Sequence, residues 1–180
     1  MDFHKELRRT YLGAAPHTLC VGSLWIISGI IANYLTKEFA ILFFFFACGV
    51  NFPLGELLRK AMKIQNVLSK ENNLPKLFMY LSFTIPLSMP IVYMACKYNI
   101  NWFFPAFAVL VGAHYLPFIW AYKMPTFGLL AALIISVGVL CALKFSNSFP
   151  MAAYMTGTAM ILFAVIHFIL VRKELRSVTH

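Results

Sequence analysis

Charged residues are scarce in this 180-residue sequence, and only 12% of its positions are Asp, Glu, Lys or Arg. A soluble domain carries about 25% charged residues, so the composition excludes an ordinary soluble domain. It also excludes an intrinsically disordered chain, which combines many charges with low hydrophobicity. Hydrophobic residues make up 61% of the sequence, and the mean hydropathy is +0.78. These values indicate a chain whose main solvent is lipid.

Motifs of several common enzyme classes are missing as well. The sequence contains no P-loop, no Gly-x-Gly-x-x-Gly and no His-Glu-x-x-His pattern, so an ATPase, a dehydrogenase or a zinc protease has no support. The four cysteines are far apart and show no Cys-x-x-Cys spacing. We therefore expect buried structural thiols, no metal site and no cofactor. The sequence assigns no catalytic residue, and it favours a protein that is not an enzyme.

Long apolar stretches are the main feature that is present. A helix needs about 20 apolar residues to cross the hydrocarbon core of a bilayer, and six stretches are long enough. They cover about 17–35, 39–58, 77–96, 101–122, 126–145 and 150–171. None of them shows the strict alternation of membrane β-strands. We predict an all-α, polytopic integral membrane bundle of six transmembrane helices that forms a single domain over 1–180.

The distribution of cations predicts the orientation of this bundle. Of the 15 Lys and Arg, only Lys37, Lys97 and Lys144 fall on one side of the predicted membrane. Lys and Arg concentrate on the cytoplasmic side, so both termini are predicted to be cytoplasmic. The basic side would lie against anionic lipid headgroups, and the net charge of +9 then requires no nucleic-acid partner.

Two further helices are predicted outside the spans. Residues 2–15 carry Phe3, Leu7 and Tyr11 at a helical spacing, which is typical of a short amphipathic helix lying in the membrane interface. The second span is predicted to continue as a basic cytoplasmic helix over about 59–70.

Small residues recur at four-residue spacing in the last two spans, as Gly128-x-x-x-Ala132 and Ala153-x-x-x-Gly157. This pattern lets helices approach closely. It would serve packing inside one bundle or between the two protomers of a homodimer.

The rarer polar residues gather in the predicted cytoplasmic half of the membrane. Polar groups inside a bilayer are costly and need a partner or a cavity. The candidate ligand-binding or proton-handling residues are His114, Asn51, Glu56, His167, Tyr80, Ser82 and Tyr115. Prolines that would interrupt spans two, three and four lie among them, at Pro53, Pro86, Pro90 and Pro117. Broken helices are tolerated where the backbone lines a cavity. We therefore predict a polar, partly hydrated pocket that is lined by spans two, three, four and six and opens to the cytoplasm.

Each candidate also has a structural interpretation. His114 has the side chain best suited to accept a proton near neutral pH, but it would equally lock helix packing through a hydrogen bond to a neighbouring carbonyl. Glu56 would pair with Arg59, Lys60 or a cation on another span. Asn51 would hydrogen-bond between helices, and His167 would lie near the headgroups.

Two motifs carry a resemblance to a known group of proteins. They are Gly49-Val50-Asn51-Phe52-Pro53 in the second span and Gly112-Ala113-His114-Tyr115-Leu116-Pro117 in the fourth. Together with the amphipathic start, the sequence is similar to small uncharacterised bacterial six-span membrane proteins, a family of unknown function. The resemblance implies the six-span architecture and a bacterial cytoplasmic membrane location, and it implies no activity.

Three functions remain open at this point. The first is binding or transport of a small solute or lipophile through the polar, proline-broken pocket. The second is a membrane-embedded enzyme that acts on a lipid or isoprenoid, with His114 as its acid–base group. The third is a non-catalytic partner, such as an immunity, assembly or sensor subunit, which would use the basic helix over 59–70.

Overall fold

The computed structural model of the protein describes residues 2–176, which form helices and no strand. The helices are α1 (Phe3–Tyr11), α2 (Ala15–Tyr34), α3 (Lys37–Ala61), α4 (Leu74–Tyr98), α5 (Phe103–His114), α6 (Leu116–Tyr122), α7 (Thr126–Lys144) and α8 (Met151–Arg176), with a 3-10 turn at Ile100–Trp102. The described part contains six helical segments long and apolar enough to cross a membrane, with α5 and α6 together forming the fourth. The predicted all-α, multi-pass membrane protein is confirmed.

Small residues bring α2 and α8 into close contact. A Cβ atom added to Gly157 would lie 2.6 Å from the carbonyl oxygen of Gly22, and one added to Gly22 would lie 3.0 Å from the carbonyl oxygen of Gly157. Ala153 is fully buried. The Ala153-x-x-x-Gly157 pattern therefore packs inside the bundle, which is one of the two uses expected for it.

α5 and α7 form a second close pair. A Cβ atom on Gly138 would lie 2.6 Å from the carbonyl oxygen of Pro105. α7 also packs on α8, so α2, α8, α7 and α5 form a continuous, dense layer. Large side chains such as Phe127, Leu130 and Ile134 of α7 are fully buried in it.

α3 and α4 lie at the edges of this layer. α3 packs on α2 and α4 packs on α5, yet these two consecutive helices barely touch one another. Only Val92 is buried along the whole of α4. Both helices expose large apolar side chains, as expected for surfaces that face lipid.

The loops meet in two groups, one at each end of the bundle. One group contains the loops around Lys37, Asn101 and Ser146, and we call this end of the bundle the opposite end. Lys37 Nζ donates to Asn101 Oδ1 at 2.9 Å, and Asn101 Nδ2 donates to the carbonyl oxygen of Ser146 at 2.9 Å. The other end holds α1, the 62–73 segment, the turn after α6 and the C-terminal turn of α8. We call it the basic end because it carries most of the cations.

α1 is bound to the rest of the basic end. The Arg8 guanidinium donates two hydrogen bonds of 2.8 Å to the Glu174 carboxylate and one of 2.8 Å to the carbonyl oxygen of Tyr122. The bidentate bond to Glu174 raises the pKa of Arg8. Leu7 is fully buried. α1 is shorter than the predicted 2–15 helix, because residues 12–14 form a left-handed turn with φ between 47° and 59°.

The predicted basic helix over 59–70 is wrong. α3 ends at Ala61, and residues 64–69 are not helical. Their backbone finds partners on α1 instead: the amide of Val67 donates to Thr10 Oγ1 at 3.1 Å. Arg59 also stops the helix, since its Nη1 donates to the carbonyl oxygen of Ile64 at 3.1 Å. These tertiary hydrogen bonds replace the helical ones and override the local helix preference.

Candidate functional site

A cavity of about 740 Å³ lies between α2, α3, α4 and the α5–α6 segment. Pockets that hold small organic ligands have volumes of roughly 300–1,000 Å³. The wall is largely aromatic and aliphatic, and no Asp, Glu, Lys or Arg among the described residues lines it. The cavity therefore suits an apolar or uncharged ligand.

Aromatic side chains close the cavity toward the opposite end. The ring centroid of Trp25 is 4.9 Å from that of Phe44, and Phe44 is 5.1 Å from Phe107. Phe104 packs behind them, 5.5 Å from Phe44. Trp25, Phe44 and Phe104 are fully buried. This cluster forms a buried aromatic floor that joins α2, α3 and α5.

The cavity opens sideways between α3 and α4. The lining residues that are exposed all belong to these two helices, four to each. They are Phe45, Phe46, Gly49 and Phe52 on α3, and Met79, Ser82, Phe83 and Pro86 on α4. Since α3 and α4 barely touch, the opening faces the apolar surface of the bundle, whereas we expected it at the basic, predicted cytoplasmic end.

Four of the predicted site residues line this one cavity: Asn51 on α3, Ser82 on α4, and His114 with Tyr115 at the break between α5 and α6. His114 Nδ1 lies 3.3 Å from Thr84 Oγ1 of α4. Ser82 Oγ donates to the carbonyl oxygen of Phe78 within its own helix, at 2.7 Å. Asn51 Oδ1 is buried and accepts no hydrogen bond from any described residue.

The other three predicted residues lie outside the cavity wall. Tyr80 is 63% exposed on the outer face of α4. His167 is fully buried between helices, where its Nε2 lies 2.9 Å from Thr126 Oγ1 and its ring lies 4.2 Å from that of Phe127. Glu56 pairs with Arg59, one of the partners expected for it.

The set of helices around the cavity differs from the prediction in one member. We expected span six, but α8 contributes no lining residue, and the first span, α2, takes its place. α2 supplies His17, Thr18 and Trp25. The close approach of α2 to α3 requires a glycine at position 55, because a Cβ atom there would collide with the imidazole of His17.

A polar cluster lies beside His17 at the basic end of the cavity. Arg59 Nη2 donates to Glu56 Oε2 at 2.8 Å, and Arg59 Nε donates to the same carboxylate. His17 Nε2 lies 3.6 Å from Glu56 Oε1. The Tyr11 ring lies against both His17 and the Arg59 guanidinium. The Glu56 carboxylate is thus already paired with the Arg59 guanidinium. Of the four residues in this cluster, only His17 and Tyr11 line the cavity.

The predicted helix breaks form at only one of the four prolines. Pro117 follows the break at Tyr115 that separates α5 from α6. Pro53 lies within a continuous α3, and Pro86 and Pro90 lie within a continuous α4. A proline removes one helical hydrogen bond, and the remaining backbone groups have no alternative partners in lipid. The helices therefore continue past these residues.

The 62–73 segment, which we call the strap, connects α3 to α4 across the basic end of the cavity. The Glu6 carboxylate of α1 accepts hydrogen bonds from Asn72 Nδ2 at 3.0 Å, and from the amide and hydroxyl of Ser69 at 3.1 and 2.9 Å. The bonds from Asn72 and Ser69 hold the pKa of Glu6 below its ordinary value. α1 therefore fixes the strap, and the strap limits how far α3 and α4 separate at this end.

Metal-binding groups do not gather in the described part of the chain. Residues 2–176 contain no cluster of three or more His, Cys, Asp or Glu side chains that could hold a metal ion. All four cysteines are free thiols, and one of them, Cys48, lines the cavity. The arrangement offers apolar burial with a few neutral hydrogen-bonding groups.

Comparison with known proteins gives a family and no activity. No curated protein matches the chain, and no solved structure matches it. Residues 1–172 match the model of a family of unknown function, DUF7010, and the chain belongs to that family.

Proposed function

We propose that this multi-pass membrane protein binds or carries a membrane lipophile, which enters its cavity sideways between α3 and α4. The observation that carries the proposal is the placement of every exposed lining residue on these two helices. A ligand dissolved in the bilayer would reach the opening without crossing water. The aromatic floor and walls would then bury its apolar part.

The proposal places the protein in a bacterial inner membrane, with the basic end on the cytoplasmic side. Twelve of the 15 Lys and Arg lie at that end, as the positive-inside rule requires. These cations would contact anionic headgroups. The polar cluster at His17, Glu56 and Arg59 would then lie at cytoplasmic depth, where a carried molecule would be delivered or collected.

Lipid analysis of the purified protein tests the proposal. The protein is extracted in a mild detergent, and the bound lipophiles are identified by organic extraction and mass spectrometry. Gly49→Trp adds an indole at a residue that lines the cavity, and the indole has room there because a Cβ atom on Gly49 meets no atom within 4 Å. Leu57→Trp is the matched control, since Leu57 lies on the same helix, is 65% exposed and does not line the cavity.

We expect the parent and Leu57→Trp proteins to carry the same lipophile in similar amounts. Gly49→Trp should lose at least about tenfold of it, which corresponds to about 1.4 kcal/mol of binding free energy. Retention of the full amount by a folded Gly49→Trp protein contradicts the proposal.

The break between α5 and α6 favours a second candidate, an enzyme that acts on a lipid or isoprenoid. Both residues at this break, His114 and Tyr115, line the cavity. An imidazole within reach of a bound lipid would transfer protons to and from it. This candidate requires turnover of the lipophile found above, and loss of that turnover in His114→Ala with the lipophile still bound.

A further inference from the structure

The cavity wall offers neutral polar groups and no charge. Its polar side chains are mainly His17, Thr18, Asn51, Ser82 and His114, and no Asp, Glu, Lys or Arg of the described chain joins them. An ionised phosphate or carboxylate brought into such a cavity would lose its hydration without gaining a countercharge from the wall, at a cost of several kcal/mol. Arg59 lies outside the wall and is already paired with Glu56. The wall therefore selects against charged headgroups.

Three polar atoms of the cavity wall are buried without a hydrogen-bond partner among the described residues: His17 Nε2, Trp25 Nε1 and Asn51 Oδ1. His17 Nε2 has the Glu56 carboxylate 3.6 Å away, and the Trp25 ring is packed among the aromatic rings of the floor. We therefore take Asn51 as the side chain that a ligand would satisfy.

The Asn51 Oδ1 atom accepts no hydrogen bond from any described residue. Ser82, by contrast, already donates within its own helix, and His114 lies against Thr84. A buried amide without a partner costs about 1–3 kcal/mol. A ligand hydroxyl both donates and accepts, so it satisfies the Asn51 amide in either orientation.

The cavity volume limits the size of the ligand. At about 30 Å³ for each non-hydrogen atom, a value taken from a water's share of liquid volume, 740 Å³ holds roughly 25 atoms. One long aliphatic chain with a small head fits this space. A phospholipid with two acyl chains has about twice as many atoms, so about half of it would remain outside the opening between α3 and α4.

We propose that the ligand is an uncharged, single-chain aliphatic alcohol, whose hydroxyl bonds to Asn51 and whose chain lies among the aromatic side chains of the cavity. This inference rests on the proposed function and adds the class of the ligand. The chain is straight or prenyl, and the hydroxyl is the chemistry the two forms share.

Trp25 is a built-in reporter of binding because it lines the cavity floor. The sequence has three tryptophans, so Trp102→Phe and Trp120→Phe leave Trp25 as the single fluorophore. The probes are three dibrominated eighteen-carbon chains that differ only in the head: the alcohol, the sulfonate and the plain hydrocarbon. Bromine quenches a tryptophan that it approaches, so quenching of Trp25 reports entry of the chain.

We expect the alcohol to quench Trp25 at about tenfold lower concentration than either the sulfonate or the hydrocarbon, which is the effect of one good hydrogen bond. Asn51→Leu keeps the side-chain size and should reduce the alcohol to the level of the hydrocarbon. Ser88→Ala is the control on α4 outside the cavity wall and should change the preference less than about twofold, because the Ser88 hydroxyl is bonded within its own helix to the carbonyl oxygen of Thr84.

The outcomes separate the two proposals. Quenching by none of the three probes overturns the proposed function, and the inference with it. Equal quenching by all three leaves a lipophile site and overturns the inference about the head, as does tighter binding of the sulfonate or an unchanged preference in Asn51→Leu. Displacement of the probe by octadecanol or by geranylgeraniol supports the inference and identifies the chain type, whereas displacement by neither overturns it.

Discussion

Glycines show how differently the two halves of this molecule are packed. In the dense layer, a Cβ atom on Gly157 would lie 2.6 Å from a backbone oxygen of α2, and one on Gly138 would lie 2.6 Å from a backbone oxygen of α5. In the open half, which consists of α3, α4 and the cavity between them, a Cβ atom on Gly49 would meet no atom within 4 Å. Glycine is required for close helix packing in the dense layer, whereas in the open half it lies beside empty space.

The comparison explains how a small bundle combines stability with a cavity. Four helices pack closely enough to hold their relative positions, since interfaces between membrane helices depend on small residues. α3 and α4 can therefore be separated from each other, because α3 is held by its contact with α2 and α4 by its contact with α5. The cavity follows from that separation, and its aromatic floor is anchored in the dense half through Trp25 and Phe104.

The largest effect is expected from Gly157→Ala. The added methyl group would lie against the Gly22 carbonyl, which is backbone and has no rotamer to change. α2 and α8 would have to separate, at a cost of about 1–3 kcal/mol in the free energy of unfolding. Thermal unfolding in detergent measures this loss. An unchanged melting temperature would contradict the close contact between α2 and α8 at Gly157.

The number of spans was predictable from the sequence, and the arrangement of the helices was not. The thickness of a bilayer sets the length of each apolar run, so six runs identify six spans. The sequence also placed Asn51 and His114 together in the predicted cytoplasmic half of the membrane, and both line the cavity. Depth does not report which helices are neighbours, so the sequence offered His167 for the pocket where the structure has His17.

Gly55→Ala tests the boundary between the two halves. Its methyl group would collide with the His17 imidazole, a side chain that can rotate away. We expect a smaller loss of stability, about 1 kcal/mol. Because His17 would leave the cavity wall, binding of the lipophile should weaken as well, and mass spectrometry of the purified variant measures that change. Full retention of the lipophile would show that His17 takes no part in holding it.

Gly49→Ala should act in the opposite direction to Gly157→Ala. Alanine in a helix interior is about 0.5–1 kcal/mol more favourable than glycine, and the Gly49 site offers open space. We therefore expect a small rise in the melting temperature with the lipophile still bound, since a methyl group fills little of 740 Å³. A fall comparable to that of Gly157→Ala would show that α3 packs against another helix at this position and that the cavity is closed there.

The smallest effect is expected from Glu6→Gln, which weakens the strap that joins α3 to α4 at the basic end. The pKa of the Glu6 carboxyl is lowered by its bonds from Asn72 and Ser69. A lowered pKa means that the anchoring is complete above the ordinary pKa of glutamate and is lost as the pH falls through the lower value of the folded protein. At neutral pH, Glu6→Gln should therefore speed deuterium exchange at the Ser69 amide, which donates to this carboxylate.

A charge-assisted hydrogen bond that is only partly buried is worth little, so the expected ratio of exchange rates between variant and parent is about twofold to threefold. The ratio should fall to one at a pH below the pKa of Glu6 in the folded protein, where the parent carboxyl is also neutral. Glu71→Gln removes the same charge from an exposed position on the strap and should give a ratio of one at every pH. A ratio for Glu6→Gln that stays constant down to acid pH would show that the size of the side chain, and not its charge, holds the strap to α1. The separation between α3 and α4 at the basic end would then not depend on pH.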